Sequence, residues 1–571
     1  MERTPRNPED RSPRRPGLAR RGGVRWLFAS ECGPRTRFAP RWFFLRCLAA
    51  IYFSAFLALV FQTRGLIGPD GILPAGQFLD SLSGAGLERF WYAPSLFWLS
   101  SSSFFMMAVV WAGLAASVAA FFNLWPRFTF LVCFVCFLSW VATATTFSEY
   151  QSDGMLLEAG FLALFFAPRG FWPGWGTDSP PPRAALFLLL WEWFRIYFES
   201  GLVKLLSGDP EWRHLTAMDH YYQNGPLPTW IGYYVQHLPH WFQVGTAAGT
   251  LVMELGIVWM LFLPRRFRLI LFFIVTPWEI GVILTANYAF LNYLVLVLGF
   301  LLLDDRSVRW LIPRRFRQSL DDAAASVASE PEPSAEPVLS ILNSDAAAVP
   351  EPSPRDARGW RGHLHAVRLA IVTVLLLWIA YDTAAELLMI PWRGFPLFTT
   401  PIEALDPLRI ANQYGLFAVM TRGRYEIEFQ GSSDGQVWTP YRFCFKPQAL
   451  DQAPGIYAPY QPRFDWNLWF SSLSDWQEDQ GRIVPIAEEK LLLGDPAVLS
   501  LFCGNPFPDQ PPKFIRAVEW QYWFTTLQQK RDTGNWWRRE LVGLYGPEIT
   551  VAPGGRIGVV EWPAPHPPQH D

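Results

Sequence analysis

Lysine is nearly missing from this chain: its 571 residues hold five lysines against 43 arginines, and Lys204 is the only lysine before Lys446. Charge of either sign is thin, at 17% of residues beside 51% hydrophobic and 16% aromatic. That balance excludes a single ordinary soluble domain and points to a membrane protein with soluble parts. Cysteine is sparse as well, and six in a chain of this size form no disulfide framework. Cys133 and Cys136 make a CxxC inside an apolar run, without the strand and helix context of a redox motif, and read as buried thiols. Cys444 and Cys503 both fall in the C-terminal part, where they pair or stay apart according to the compartment. No phosphate-binding loop, dinucleotide fingerprint, nucleophile elbow or HExxH occurs, so no cofactor is called for.

Long apolar runs are what the chain has instead. They cover about 42–61, 103–122, 127–147, 154–168, 184–206, 243–263, 267–285, 288–303 and 366–388. Most reach the ~17 to 25 residues that cross a bilayer, while 154–168 and 288–303 are short. Ahead of them, residues 1–41 carry eleven arginines and four acids, an arm expected to be disordered and cytoplasmic and too long for a cleavable signal. Its arginines read as a topology signal against anionic lipid, and no nucleic acid is expected. With the arm inside and nine passes, the arginines at 169 and 183, from 265 to 268 and from 306 to 317 fall inside, and the opposite connections hold only Arg64, Arg89 and Arg213. The membrane domain is then 42–303, followed by a cytoplasmic basic segment and linker at 304–365, a last span at 366–388 and an outer domain at 390–571. Within the linker, 319–359 is rich in Ala, Pro, Ser and acids and should be disordered. The outer domain shares its side with the connection 207–242. Its stretch 424–445 alternates around Ser433-Asp434-Gly435 like a β-hairpin; 463–476 and 485–502 look helical, and 515–526 with 536–547 look like a second pair of strands. The fold class is thus an α-helical polytopic membrane protein of about nine spans with a C-terminal β-rich (α+β) extracytoplasmic domain.

Charges inside lipid are costly and mark sites. Glu192, Arg195 and Glu199 share one helix face by their spacing of three and four. Glu158, Glu254 and Glu279, in neighbouring runs, could join them in a network that either locks helices together or carries substrate or protons. Lys204 lies off that face at the outer end of its run. It either snorkels to the interface or, if desolvated, serves as a general base. The connection after it holds four of the eight histidines, His214, His220, His237 and His240. With Asp209, Glu211 and Asp219 these could hold a metal, but the spacing is looser than zinc sites use, and no metal is expected.

The segment SGDPEWRHLTAMDHYYQNGPLP from 207, with the tyrosine and histidine run to Trp241, resembles the lipase maturation factor family, membrane proteins of the secretory pathway. So do GLIGPDGILPA from 65, YQPRFDWNLWF from 460, GNPFPDQPP from 504, IRAVEWQYWFT from 515 and WWRRELVGLYGP from 536. The resemblance implies a multi-span protein whose outer domain helps newly secreted lipases reach an active, assembled state, in the endoplasmic reticulum membrane of eukaryotic relatives and the inner membrane of a bacterium. It makes Lys204, Asp209, Glu211, Trp212, Arg213, His220, Tyr221, Tyr222, Pro226, His237 and Trp241 the functional loop. In the outer domain it points to Arg463, Trp466, Trp469, Asn505, Pro506, Arg516, Trp536 and Trp537, which with the loop bind client or stabilise each other without catalysis. Where animal members carry a glutamate, this chain has Gln223, so a role for that carboxylate does not carry over. Lys204 to Trp212 is more weakly similar to the vitamin K dependent carboxylase group, which would cast Lys204 as the base of a membrane enzyme. The expected partners are a secreted client, with lipases foremost, and the lipid bilayer; the oligomeric state stays open.

Overall fold

The computed structural model describes Phe28, residues 36–329 and residues 360–564 apart from 393, 478–482 and 553. Most of the basic arm, and the linker from 330 onward, lie outside the described residues.

Each of the nine apolar runs forms a helix. In chain order these are α1 (Phe38–Ile67), α2 (Ser103–Phe121), α3 (Pro126–Val141), α4 (Gln151–Phe166), α5 (Arg183–Leu206), α6 (His240–Leu255), α7 (Arg265–Thr285) and α8 (Leu291–Gly299). After α9 (Arg314–Ser329) comes α10 (Trp360–Met389). By length and composition five described helices can cross a membrane: Phe38–Ile67, Ser103–Phe121, His240–Phe262, Arg265–Thr285 and Val367–Met389. The helices Pro126–Val141 and Leu291–Leu302 are apolar but shorter. The polar residues Asp153 and Glu158 in α4, and the four charges from Glu192 to Lys204 in α5, are buried inside the bundle, which lets these two helices be less apolar than their neighbours.

Small residues set the close approaches. A Cβ at Gly113 of α2 would overlap the Phe56 ring of α1, and one at Gly160 of α4 would overlap the Tyr52 hydroxyl. That hydroxyl donates to the Leu156 carbonyl oxygen at 3.0 Å, across the α1–α4 contact.

The C-terminal domain is built on one antiparallel sheet: β1 (Arg424–Ser432), β2 (Thr439–Pro440), β3 (Phe514–Phe524), β4 (Trp537–Leu544), β5 (Glu548–Val551) and β6 (Ile557–Glu561). Its order is β2-β1-β3-β5-β6, with β4 also on β3. Nine residues of β1 pair with β3, from Arg424 opposite Tyr522 to Ser432 opposite Phe514. Ile427 and Phe429 point into a core with Phe464, Phe502 and Ile515. The helices α11 (Arg463–Ser471) and α12 (Ile483–Leu492) cover this face. The apolar cluster runs without a break from the bundle into the sheet domain, so the two halves share one core.

Several expectations are corrected. The hairpin's return strand is only Thr439–Pro440, because the chain then bends to hold Cys444 in a disulfide with Cys503 and to donate the Phe445 and Lys446 N–H groups to Asp465, each at 3.2 Å. The helix expected over 463–476 stops at Ser471, where a Ser-rich stretch competes for backbone bonds. That over 485–502 breaks at Gly494 (φ +68°), after which Asp495 caps a new turn. The expected disordered linker begins as α9, which buries Leu320 and Ala323 against Phe38 and Val308. The last residues of the arm are ordered, with Arg37 and Arg41 buried.

Candidate functional site

After α10 the chain turns back into the bundle, and the charges expected to form a network turn out to receive it. Glu158 accepts from Arg195, from the Tyr414 hydroxyl at 2.8 Å and from the Asn412 amide at 3.2 Å. Glu199 accepts from the Tyr414 backbone N–H at 2.6 Å, with the Arg195 guanidinium at 3.9 Å and stacked on the Tyr414 ring. Arg195 also donates to the Asn412 carbonyl oxygen at 2.5 Å. The cluster is therefore a socket for residues 410–416, its charges paired as burial in lipid demands. Glu192 is buried beside it with neither oxygen hydrogen-bonded, while Glu254 and Glu279 lie elsewhere, so six candidates form two clusters and not one.

The loop after α5 clamps the same returning segment from above. Asp209 caps the turn Pro210–Arg213 and accepts from the Met420 N–H at 2.7 Å. Trp212 donates its indole N–H to the Phe417 carbonyl oxygen at 2.8 Å. Glu211 accepts from Thr216 and from Arg422 at 3.0 Å, with His220 at 3.7 Å. Burial alone would raise the Glu211 carboxyl, but the Thr216 bond and the charges of His220 and Arg422 outweigh it and hold the group below the usual glutamate value.

Farther on, Arg424 of β1 is fully buried and donates to the carbonyl oxygens of Gln223, Gly225 and Pro226 and to Glu426. Gln223 accepts from the Phe524 N–H at 2.8 Å and so ends β3 on the loop. Asn287 ties two distant segments together: it donates to Leu227 at 3.1 Å and Gly455 at 2.9 Å, and accepts from the Tyr457 N–H at 2.7 Å. The helix Trp230–Gln236 completes the junction. Its Tyr233 hydroxyl donates to Thr525 at 2.9 Å and its ring packs edge-on against Trp536, while His237 lies between the Tyr233 and Thr525 carbonyl oxygens at 2.7 and 3.0 Å. His240 is exposed beside Asp219. Among the described residues no group of three ligating side chains could hold a metal ion.

Under this loop a cavity of about 480 Å³ opens between α5, α6, α7 and α8, with Tyr221, Val235 and Phe417 from above in its wall. Lys204 lines it and is buried, not snorkelling. Its ammonium lies 2.8 and 2.9 Å from the two oxygens of Glu254, and 5.2 Å over the Trp212 ring. Tyr197 donates to Glu279 at 2.6 Å in the same cavity. A lysine acting as base must turn a lone pair to substrate, so here the pair with Glu254 would first have to open.

Other expected residues sit apart. Arg463 is buried where the sheet domain plugs into the bundle, donating to both oxygens of Asp153 at 2.7 Å and to the Phe147 carbonyl oxygen at 2.7 Å. Trp466 and Trp469 are buried there too, and Trp537 in the sheet, so these three present no surface. Arg516 stacks on Trp438 and bonds Gln430. Asn505 and Pro506 lie away from the junction, in an outer turn where Asn505 bonds Phe507. Arg213 and Trp241 are exposed on the loop. Sequence reasoning passed over Asn287, Asn412 and Arg424, whose partners are largely backbone groups, and Tyr414, whose carboxylate partners lie on helices more than 200 residues away; neither leaves a pattern of spacing.

A helical bundle with internal charges, entered from one end by an extramembranous sheet domain, defines an integral membrane protein in which the two parts form one unit. Family comparison agrees over both halves. The lipase maturation factor transmembrane domain matches residues 39–310 and the lipase maturation factor C-terminal domain residues 410–547. Lipase maturation factor 2 of Gallus gallus is 31% identical over 90% of this chain and 81% of its own length. Lipase maturation factor 1 of Mus musculus is 30% identical over 92% of this chain and 89% of its own length. The chain belongs to the lipase maturation factor family. No solved structure matches it. The carboxylase-like alternative gains no support from these comparisons.

Proposed function

We propose that this protein is a membrane-anchored maturation factor for secreted proteins, with lipases as clients, whose sheet domain and loop handle the client on the extracytoplasmic side. The observation that carries the reading is the similarity to lipase maturation factors 1 and 2 across both the bundle and the sheet domain. Nine passes with the N terminus cytoplasmic fit the helix order, since the ends of α5, α6 and α7 nearest the loop all meet the outer domain's side. The Cys444–Cys503 disulfide supports an oxidising compartment for the sheet domain. Clients meet a surface with exposed apolar side chains on strands that have an open edge: Leu541 on β4, and Val560 with the following Trp562 on β6. Such side chains on an outer sheet edge are suited to transient contact with incompletely folded chains.

The test is the specific activity of secreted lipase, per unit of lipase antigen, in a host lacking the protein and complemented with the full chain. Wild type should restore it. Leu541→Glu with Val560→Glu should reduce rescue several-fold at unchanged membrane levels. Full rescue by that variant would overturn the docking surface, and no rescue by wild type would overturn the lipase client.

A further inference from the structure

The cavity under the loop has more in it than the client reading uses. Its volume, about 480 Å³, falls in the ~300–1,000 Å³ range of small-molecule sites. Most of its wall is apolar, with Met253, Val282 and Val295 among the lining residues from three helices. Its charges are already engaged: Lys204 with Glu254, and Glu279 with the Tyr197 hydroxyl. One fully buried neutral donor is not. The side-chain amide nitrogen of Asn292, on α8 and only 6% exposed, has no hydrogen-bond acceptor and belongs to the same cavity wall. A buried donor left so costs about 1–3 kcal/mol, which an acceptor oxygen of a ligand in the cavity would recover once the amide turns toward it.

We infer that this cavity binds one neutral single-chain acyl lipid through its ester carbonyl, which accepts from Asn292 while the chain lies along the apolar wall. An anionic head is excluded by charge, because two carboxylates and one ammonium already face the space. A cationic head brings donors where the site lacks an acceptor. The source is the bilayer: α6 and α7, which form one side of the cavity, expose Val252, Phe273 and Ile280 on their outer surfaces. The wall is open at Gly281 of α7, another lining residue, which is exposed and where an added Cβ meets no atom within 4 Å. The inference does not rest on lipases being the client.

The probe is a diazirine-bearing monoacylglycerol added to the purified full chain in phosphatidylcholine nanodiscs. Saturable labelling of α6 and α7 peptides is expected, competed by excess 1-oleoylglycerol and not by oleate. Asn292→Leu should weaken binding about tenfold, the loss of one hydrogen bond. Gly281→Phe, which fills the opening without touching the amide, should abolish it. Absence of saturable labelling, equal competition by oleate, or wild-type labelling of both variants at wild-type thermal stability would each overturn the inference. If one variant fails to fold, the other and the oleate arm still decide.

Discussion

Lys204 is the residue on which two chemistries part. Paired with Glu254 inside the bundle, it contributes by cancelling a buried charge, and removing either partner alone leaves the other uncompensated at a cost of about 3–5 kcal/mol. Lys204→Met should therefore lower the amount of folded protein, measured by fluorescence-detected size exclusion, and so should Glu254→Met. The double variant should recover most of that amount, and with it lipase rescue. A double variant that is fully folded but inactive would instead reinstate a catalytic lysine. The scarcity of lysine made this residue conspicuous from composition alone. Its partner was not legible, because Glu254 lies on another helix and the pairing of helices is not written in residue spacing. Asn287 and Asn412 were harder still. Their work is to satisfy carbonyl and amide groups of distant segments, and an asparagine between apolar runs carries no sign of that.

Among the elements, β1 is the one whose role could not be read from its pattern. Its alternation of Glu426, Ile427, Glu428 and Phe429 suggests a strand with one wet face, yet Arg424, Glu426 and Glu428 are buried as fully as the apolar positions. The charged face is covered by the loop and by Lys446, whose ammonium meets Glu426 at 2.9 Å, and by Arg539, which meets Glu428 at 3.2 Å. Charge at those positions was legible; the cover was not, since the loop's part of it comes from 198 to 201 residues earlier in the chain and Arg539 from 111 residues after Glu428. Arg424→Leu should strand the carbonyls of Gln223, Gly225 and Pro226 and leave Glu426 with less charge to offset it. The expected result is a loss of several kcal/mol, typical of breaking a buried charged network, seen as faster proteolysis within 223–230 in detergent. Unchanged cleavage would mean that Gln223, Asn287 and Tyr233 hold the loop without Arg424. The bundle helices, by contrast, were legible almost throughout, because a bilayer demands long apolar runs and gives no other segment a reason to be that apolar. Only their ends and the helical start of the linker were missed, where alanine-rich sequence forms a helix once one face finds a partner.

For the whole molecule, the two ends of the bundle differ in chemistry, and that difference predicts an orientation. At the end away from the loop, Arg265 is paired with Asp304, Asp305 accepts from the first N–H groups of α1, and Arg41 holds the carbonyls of Trp175 and Ser179. The other end is closed by the sheet domain through Arg463 and Asp153. Arginine clustered at one end of a bundle predicts that this end is cytoplasmic, and the disulfide is at the opposite side of the protein, in the sheet domain. A membrane-impermeant maleimide applied to intact spheroplasts should leave the chain unlabelled until a mild reductant is added, and then modify Cys503, which is exposed, ahead of the half-buried Cys444. The membrane thiols Cys133 and Cys136 are buried and should stay unreacted in both cases. Modification of Cys503 without reductant, and only after lysis, would put the sheet domain in the reducing cytoplasm. The basic end would then face outward, against the charge rule, and a client met during secretion could not reach the loop.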